Sequence, residues 1–125
     1  MAIRVVLIED NDVFRQALEL LLELRGDIEV VAADAGGDRA VELCRVHSPD
    51  VLIVDYRLPG PDGVQVARRV SAECPEVAVV VLTAAAGERE IRALHEAGAV
   101  ECVGKDEPLD AIVEAIHRAT TVGTG

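Results

Sequence analysis

Aromatic side chains are almost missing from this sequence: one Phe (Phe14), one Tyr (Tyr56) and no Trp in 125 residues. Flat platforms for stacking bases, sugars or flavin rings are therefore not on offer. Positive charge is scarce as well, with 12 basic residues against 23 acidic ones and a formal charge of −11. Such a surface repels nucleic-acid phosphates and anionic lipid, so direct nucleic-acid binding by this segment is not expected. No apolar run approaches the roughly 20 residues of a bilayer span, and the opening MAIRVVLIED has no signal-peptide layout. The reading is a cytoplasmic protein with no membrane partner. Cysteine is limited to Cys44, Cys74 and Cys102, far apart and set in apolar stretches. That pattern fits reduced core thiols better than disulfides or a zinc site.

What the chain does have is short, continuous apolar runs rich in Val and Ile at residues 3–8, 28–33, 51–54 and 77–82, with a weaker fifth at 100–103. Continuous rather than alternating runs mark strands buried on both faces. Between them lie stripes with helical spacing: Phe14, Ala17, Leu18, Leu21 and Leu22, closed by Gly26; Ala40, Leu43 and Cys44; Val64, Ala67 and Val70; Ile91 and Leu94, ended near Gly98; and Leu109, Ile112, Val113 and Ile116 behind Pro108. Five strands alternating with five helices predict right-handed βαβ units, hence an α/β fold with a doubly wound five-stranded parallel sheet and helices on both faces. One domain spans residues 1–119, and 120–125, TTVGTG, reads as a frayed tail or the start of a linker.

In such a sheet, ligands sit beyond the carboxyl ends of the strands. The first strand ends in Glu9 and Asp10, the third in Asp55 and the fourth in Thr83, and the fifth leads within two residues to Lys105. Singly, each has an ordinary explanation. Asn11 and Asp12 cap a helix, Asp55 is a loop acid, and Lys105 is a solvated charge. Taken together they say more, because first and third strands lying side by side would bring Glu9, Asp10 and Asp55 into one place. Three such carboxylates repel one another unless a cation intervenes, and a small set of hard oxygen ligands suits Mg²⁺. Lys105 is the only Lys beside eleven Arg, and an ammonium is a compact point charge that a forked guanidinium does not replace. The run VLIVDYRLPGPDG around Asp55 is a strand followed by a turn-rich loop, which would leave Asp55 exposed as a nucleophile.

With these residues in place, the sequence resembles, over nearly its whole length, the receiver domain of bacterial two-component response regulators of the LuxR/NarL type. The resemblance is carried by Glu9-Asp10, the run from Asp55 to Gly63, Thr83 followed by the small Ala84, and Lys105. It implies the flavodoxin-like strand order 2-1-3-4-5. It also implies that Asp55 accepts a phosphoryl group from a sensor histidine kinase. Asp10, Asp55 and the backbone carbonyl of Arg57 would ligate Mg²⁺, and Glu9 would assist. Thr83 would bond the phosphoryl oxygens with Ala84 beside it, and Lys105 would pair with them. Arg57 and Ala85 would flank the site and tune the phosphoryl lifetime. Members of the family often switch the face of the fourth helix, fifth strand and fifth helix and form homodimers. Cys102, however, stands where the family usually has the aromatic of that switch. Glu9 stands for the commoner Asp, and Asp106 for the usual Pro. The Lys105-Asp106 pair is similar to receivers that precede a helix-turn-helix domain, so the tail would lead to a DNA-binding region outside this chain.

Three other readings remain open at this level. The run Asp10-Asn11-Asp12-Val13 fits the nucleophile motif of haloacid-dehalogenase-type phosphatases, although it leaves Asp55 without a role. A flavodoxin-like cofactor binder would share the fold, but it needs a phosphate loop where this chain carries acids. A receiver-like interaction module that works without phosphorylation is the third, favoured by Cys102.

Overall fold

The structure is a computed structural model that describes residues 2–84 and 87–122. Five strands, β1 (Ile3–Ile8), β2 (Ile28–Asp34), β3 (Val51–Asp55), β4 (Ala78–Thr83) and β5 (Ala99–Gly104), alternate with five helices, α1 (Asp12–Glu23), α2 (Ala40–His47), α3 (Gly63–Glu73), α4 (Glu88–Glu96) and α5 (Leu109–Val122). All the pairings are parallel, in the order β2-β1-β3-β4-β5. This is the flavodoxin-like sheet that the resemblance implies.

Side chains alternate across the sheet and feed two core layers. Val6, Ile8, Leu52 and Val54 pack beneath α2 and α3, while Val5, Leu7, Val51 and Ile53 face α1 and α5. All of β3 is buried, which explains its unbroken apolar run. The α1 stripe is narrower than its sequence suggests. Leu18 and Leu22 are buried and Phe14 half-buried, but Ala17 and Leu21 are exposed, because the i, i+4 pair alone points squarely at the sheet.

Local chemistry fixes the helix ends. Asn11 Oδ1 accepts from Phe14 N–H at 2.9 Å and caps α1, and Asp62 and Gln65 form a reciprocal capping box on α3. Gly26 takes φ +81° just past α1, a conformation that glycine adopts without penalty. Helix α5 runs three residues past the expected boundary at 119. Its last turn is tightened by the Thr120 and Thr121 hydroxyls, which donate to the carbonyls of His117 and Arg118. Residues 123–125 lie outside the described residues. Cys44 and Cys74 are buried and Cys102 half-buried, all as free thiols. Among the described residues no helix is long and apolar enough to cross a membrane.

Candidate functional site at the carboxyl edge of the sheet

Because β1 and β3 pair directly, Glu9 and Asp10 just beyond β1 meet Asp55 at the end of β3. One carboxylate oxygen from each lies within 4.8 Å of the other two. Asp55 and Thr83 are the final residues of β3 and β4, where sequence reading puts them. Register explains this: Asp55 sits opposite Leu82, Thr83 opposite Gly104, and Tyr56 N–H still donates to Leu82 O at 2.8 Å. Asp55 is therefore buried rather than exposed on a loop.

Glu9 is wholly buried. Its backbone N–H donates to Asp34 O at 3.0 Å, its carbonyl accepts from Arg15 Nη1 at 2.8 Å, and its Oε2 accepts from Asn11 N–H at 2.9 Å. Its Oε1 lies 2.7 Å from Lys105 Nζ. This close ion pair compensates the buried charge. Burial pushes the Glu9 carboxyl above its ordinary pKa, and Lys105 and the Asn11 N–H offset only part of that rise.

Lys105 Nζ also donates to Asp55 Oδ2 at 3.3 Å and stands 4.6 Å from the centre of the Phe14 ring. Burial pulls the ammonium's pKa down, but the nearby Glu9 and Asp55 outweigh it and leave the pKa raised, so the group stays charged. The Lys105 backbone N–H donates to Thr83 O at 2.8 Å and ties the two residues together. The Arg57 backbone N–H makes a long 3.4 Å contact with Asp55 Oδ1. The following loop folds back so that Gly63 N–H donates to Tyr56 O at 2.8 Å. A Cβ at Gly63 would lie 2.7 Å from Tyr56 Cα and 2.9 Å from Asp55 O, so only glycine permits this approach.

On the other side of Asp55 the packing is looser. The Thr83 hydroxyl is buried without a hydrogen-bond partner. It borders a cleft of about 330 Å³ shared with Ala84, Ile91, Cys102 and Glu107. Ala84 is exposed at the rim. Ala85 lies outside the described residues.

Three carboxylates facing a single ammonium leave negative charge in excess, and the donors are all hard oxygens. That set fits a small divalent cation. Asp12 is not part of it: the residue lies in the first turn of α1, exposed, paired with Arg15 Nη2 at 2.7 Å. The phosphatase motif is thereby split, with its second acid serving the helix. Sequence reading missed Arg15, which grips both the Glu9 carbonyl and Asp12, and treated Phe14 only as core. An Arg one turn past an acidic strand end, and the meeting of the sole Phe with the sole Lys, were the available signals.

Comparison with known proteins gives the family of this fold. The chain belongs to the response regulator receiver domain family, which it matches over residues 5–117. It is 40% identical over 117 residues to the transcriptional regulatory protein NarL of Mycobacterium tuberculosis, covering 91% of this chain and 53% of that protein. To the transcriptional regulatory protein DegU of Brevibacillus brevis it is 32% identical over 114 residues, covering 91% of this chain and 48% of the relative. Among solved structures, the signal receiver domain of the response regulator NarL from Mycobacterium tuberculosis superposes with a TM-score of 0.91 at 32% identity, covering 96% of this chain and 97% of that one. The chain spans about half the length of the curated relatives it matches.

Proposed function

We propose that this chain is a working phosphoacceptor, taking a phosphoryl group onto Asp55 from a phosphohistidine of a sensor histidine kinase. The observation that carries this reading is Asp55 itself, a buried strand-end carboxylate held between Glu9, Asp10 and the Lys105 ammonium. An Asp55 carboxylate oxygen attacks phosphorus, the P–N bond to the kinase imidazole breaks, and the imidazole leaves with the bonding pair. Asp10, Asp55 and the Arg57 carbonyl would hold Mg²⁺, with Glu9 assisting from its buried position. When bound, Mg²⁺ supplies the positive charge that offsets the clustered carboxylates and the phosphoryl oxygens. Lys105 meets the charge on the transferred group from its place beside Asp55 Oδ2, an arrangement set before the donor arrives. Thr83 gives the phosphoryl oxygens a hydroxyl that nothing else now engages. Ala84 beside it leaves room for the group.

The relatives are named transcriptional regulators and are about twice as long. This supports an output through a DNA-binding region outside this chain, joined by a linker after α5, in a cytoplasmic signalling pair. Homodimer formation on phosphorylation belongs to the same reading. A second reading, an interaction module independent of phosphorylation, is favoured by Cys102, since the usual aromatic of the switch is not there.

Intact mass after incubation with acetyl phosphate and Mg²⁺ separates the two. The expected result is one phosphoryl group on the wild type and none on Asp55→Asn. No gain by the wild type, even with its cognate kinase, would leave the interaction module.

A further inference from the structure

The only Phe and the only Lys of the chain meet over the acidic pocket, and nothing in the phosphoacceptor chemistry above uses that contact. Phe14 is placed with care: its backbone N–H is anchored on Asn11 Oδ1 at 2.9 Å, and its half-buried ring packs on the core layer beneath α1 and α5. With Leu18, Leu109 and Ile112 the ring lines a small, mostly apolar pocket that Lys105 and Glu107 also border. The ammonium therefore leans on an aromatic face at 4.6 Å while facing Glu9 and Asp55.

A lysine stem has four rotatable bonds, and fixing it at one spot costs conformational entropy. A third carboxylate could fix it, but that would occupy an N–H that a phosphoryl oxygen needs. A π-face attracts the cation through its quadrupole without accepting a directed hydrogen bond. Position and availability are thus obtained together. Resting on the phosphoacceptor reading, we propose that Phe14 is a positioning residue whose ring holds the Lys105 ammonium in place to meet a phosphoryl group arriving on Asp55.

The test compares wild type with Phe14→Leu, which keeps apolar bulk without a π-face, and Phe14→Trp, which keeps the face. Initial rates of mass gain are followed across acetyl phosphate and Mg²⁺ concentrations. Phe14→Leu is expected to lower the saturating rate roughly threefold to tenfold, with both half-saturation points unchanged, and Phe14→Trp to restore it. In lysine-labelled protein the single Lys side chain gives one set of NMR signals. Its Hε protons are expected upfield in wild type and Phe14→Trp through the ring current, and at the ordinary position in Phe14→Leu.

An undisplaced signal in the wild type overturns the proposal without any variant. So does a wild-type rate in Phe14→Leu, or a loss that Trp does not restore, which is what packing alone would produce. Absence of uptake by the wild type, from acetyl phosphate and from its cognate kinase alike, overturns the phosphoacceptor reading and this inference together. It is told apart from failure at Phe14, where the wild type takes up phosphoryl and Asp55→Asn does not.

Discussion

At the β1–β3 edge the buried acids are gripped by neighbours, Glu9 by Asn11, Arg15 and Lys105, and Asp55 by Lys105 and Arg57. At the β4–β5 edge a few ångströms away, the Thr83 hydroxyl has no partner and Cys102 opens onto a cleft. One half of the site is arranged before any ligand arrives; the other holds unspent bonding capacity and room to move. Preorganisation suits the half that handles charge, because reorienting dipoles during transfer would cost rate. An unspent donor beside free space suits the half that must respond, because a ligand shifts a conformational equilibrium only through contacts that differ between states. On the proposed function, the acidic half would perform the chemistry and the threonine half would register its result.

Altering a polar group in each half should give unlike effects, a clear loss of stability at the acidic half and none, or a gain, at the other. Lys105→Met leaves the buried Glu9 charge uncompensated, and loss of one member of such a pair costs about 3 kcal/mol, read by urea unfolding without Mg²⁺. The pH dependence follows from Glu9. Its folded pKa is already raised above 4.5, so the folded state holds this proton more tightly than the unfolded chain does. Stability therefore falls as pH rises through that window. Without Lys105 the Glu9 pKa rises further, so the deficit of Lys105→Met should be full above the variant's Glu9 pKa and fade as pH falls from there towards the wild-type value, itself raised above 4.5. Gly63→Ala ranks next, at about 2 kcal/mol, because its Cβ would press on the Tyr56 and Asp55 backbone. Since that backbone carries Asp55, the phosphorylation rate should fall with it. Thr83→Val sits at the other end. Exchanging an unpartnered buried hydroxyl for a methyl group should be neutral or stabilising by about 1 kcal/mol in the same titration, while retention of the phosphoryl group suffers. A clear destabilisation by Thr83→Val would erase the contrast between the halves.

Much of this was legible in the residues. Continuous Val and Ile runs placed all five strands to within two residues, and their alternation with helical stripes fixed the fold class. The strand order came from family resemblance, because periodicity says which strands are buried but not which are neighbours. Glu9, Asp10, Asp55 and Lys105 were legible as candidates since each is polar where an apolar run stops. Their mutual distances were not, nor was the burial of Asp55, which depends on register with β4. Arg15 and Phe14 escaped because a helical stripe reads as core or surface, and neither label predicts what a side chain touches across the sheet. Gly63 stood out as part of a turn-rich loop, but the reason for it is the proximity of Tyr56, a contact visible only in three dimensions. Helix α5 reaches Val122, three residues into the stretch that reads as a frayed tail or linker start because Thr and Val are weak helix formers. Ala119 is fully buried there, and tertiary packing carries the helix on.

The smallest perturbation that still reads the comparison is chemical labelling of the three thiols. Cys44 lies in the closed layer beneath α2 and α3, where burial pushes its thiol up to about 12, with Cys74 and Glu76 adding to the shift. Cys74 is buried in the same layer and also raised by burial first and Glu76 next. Cys102 is raised as well, by burial and then Glu101, so none is a ready thiolate at neutral pH and access decides the order. Cys102 opens onto the cleft, whereas the other two are sealed. Iodoacetamide at pH 8, followed by peptide mass, should label Cys102 first and leave Cys44 and Cys74 to react only as fast as the chain opens. Phosphorylation, if it draws Thr83 and its surroundings inward, should slow the Cys102 reaction and leave the other two untouched. Equal protection of all three thiols would mean that the β4–β5 half is as closed as the core layer beneath α2 and α3, and its room to respond would fall.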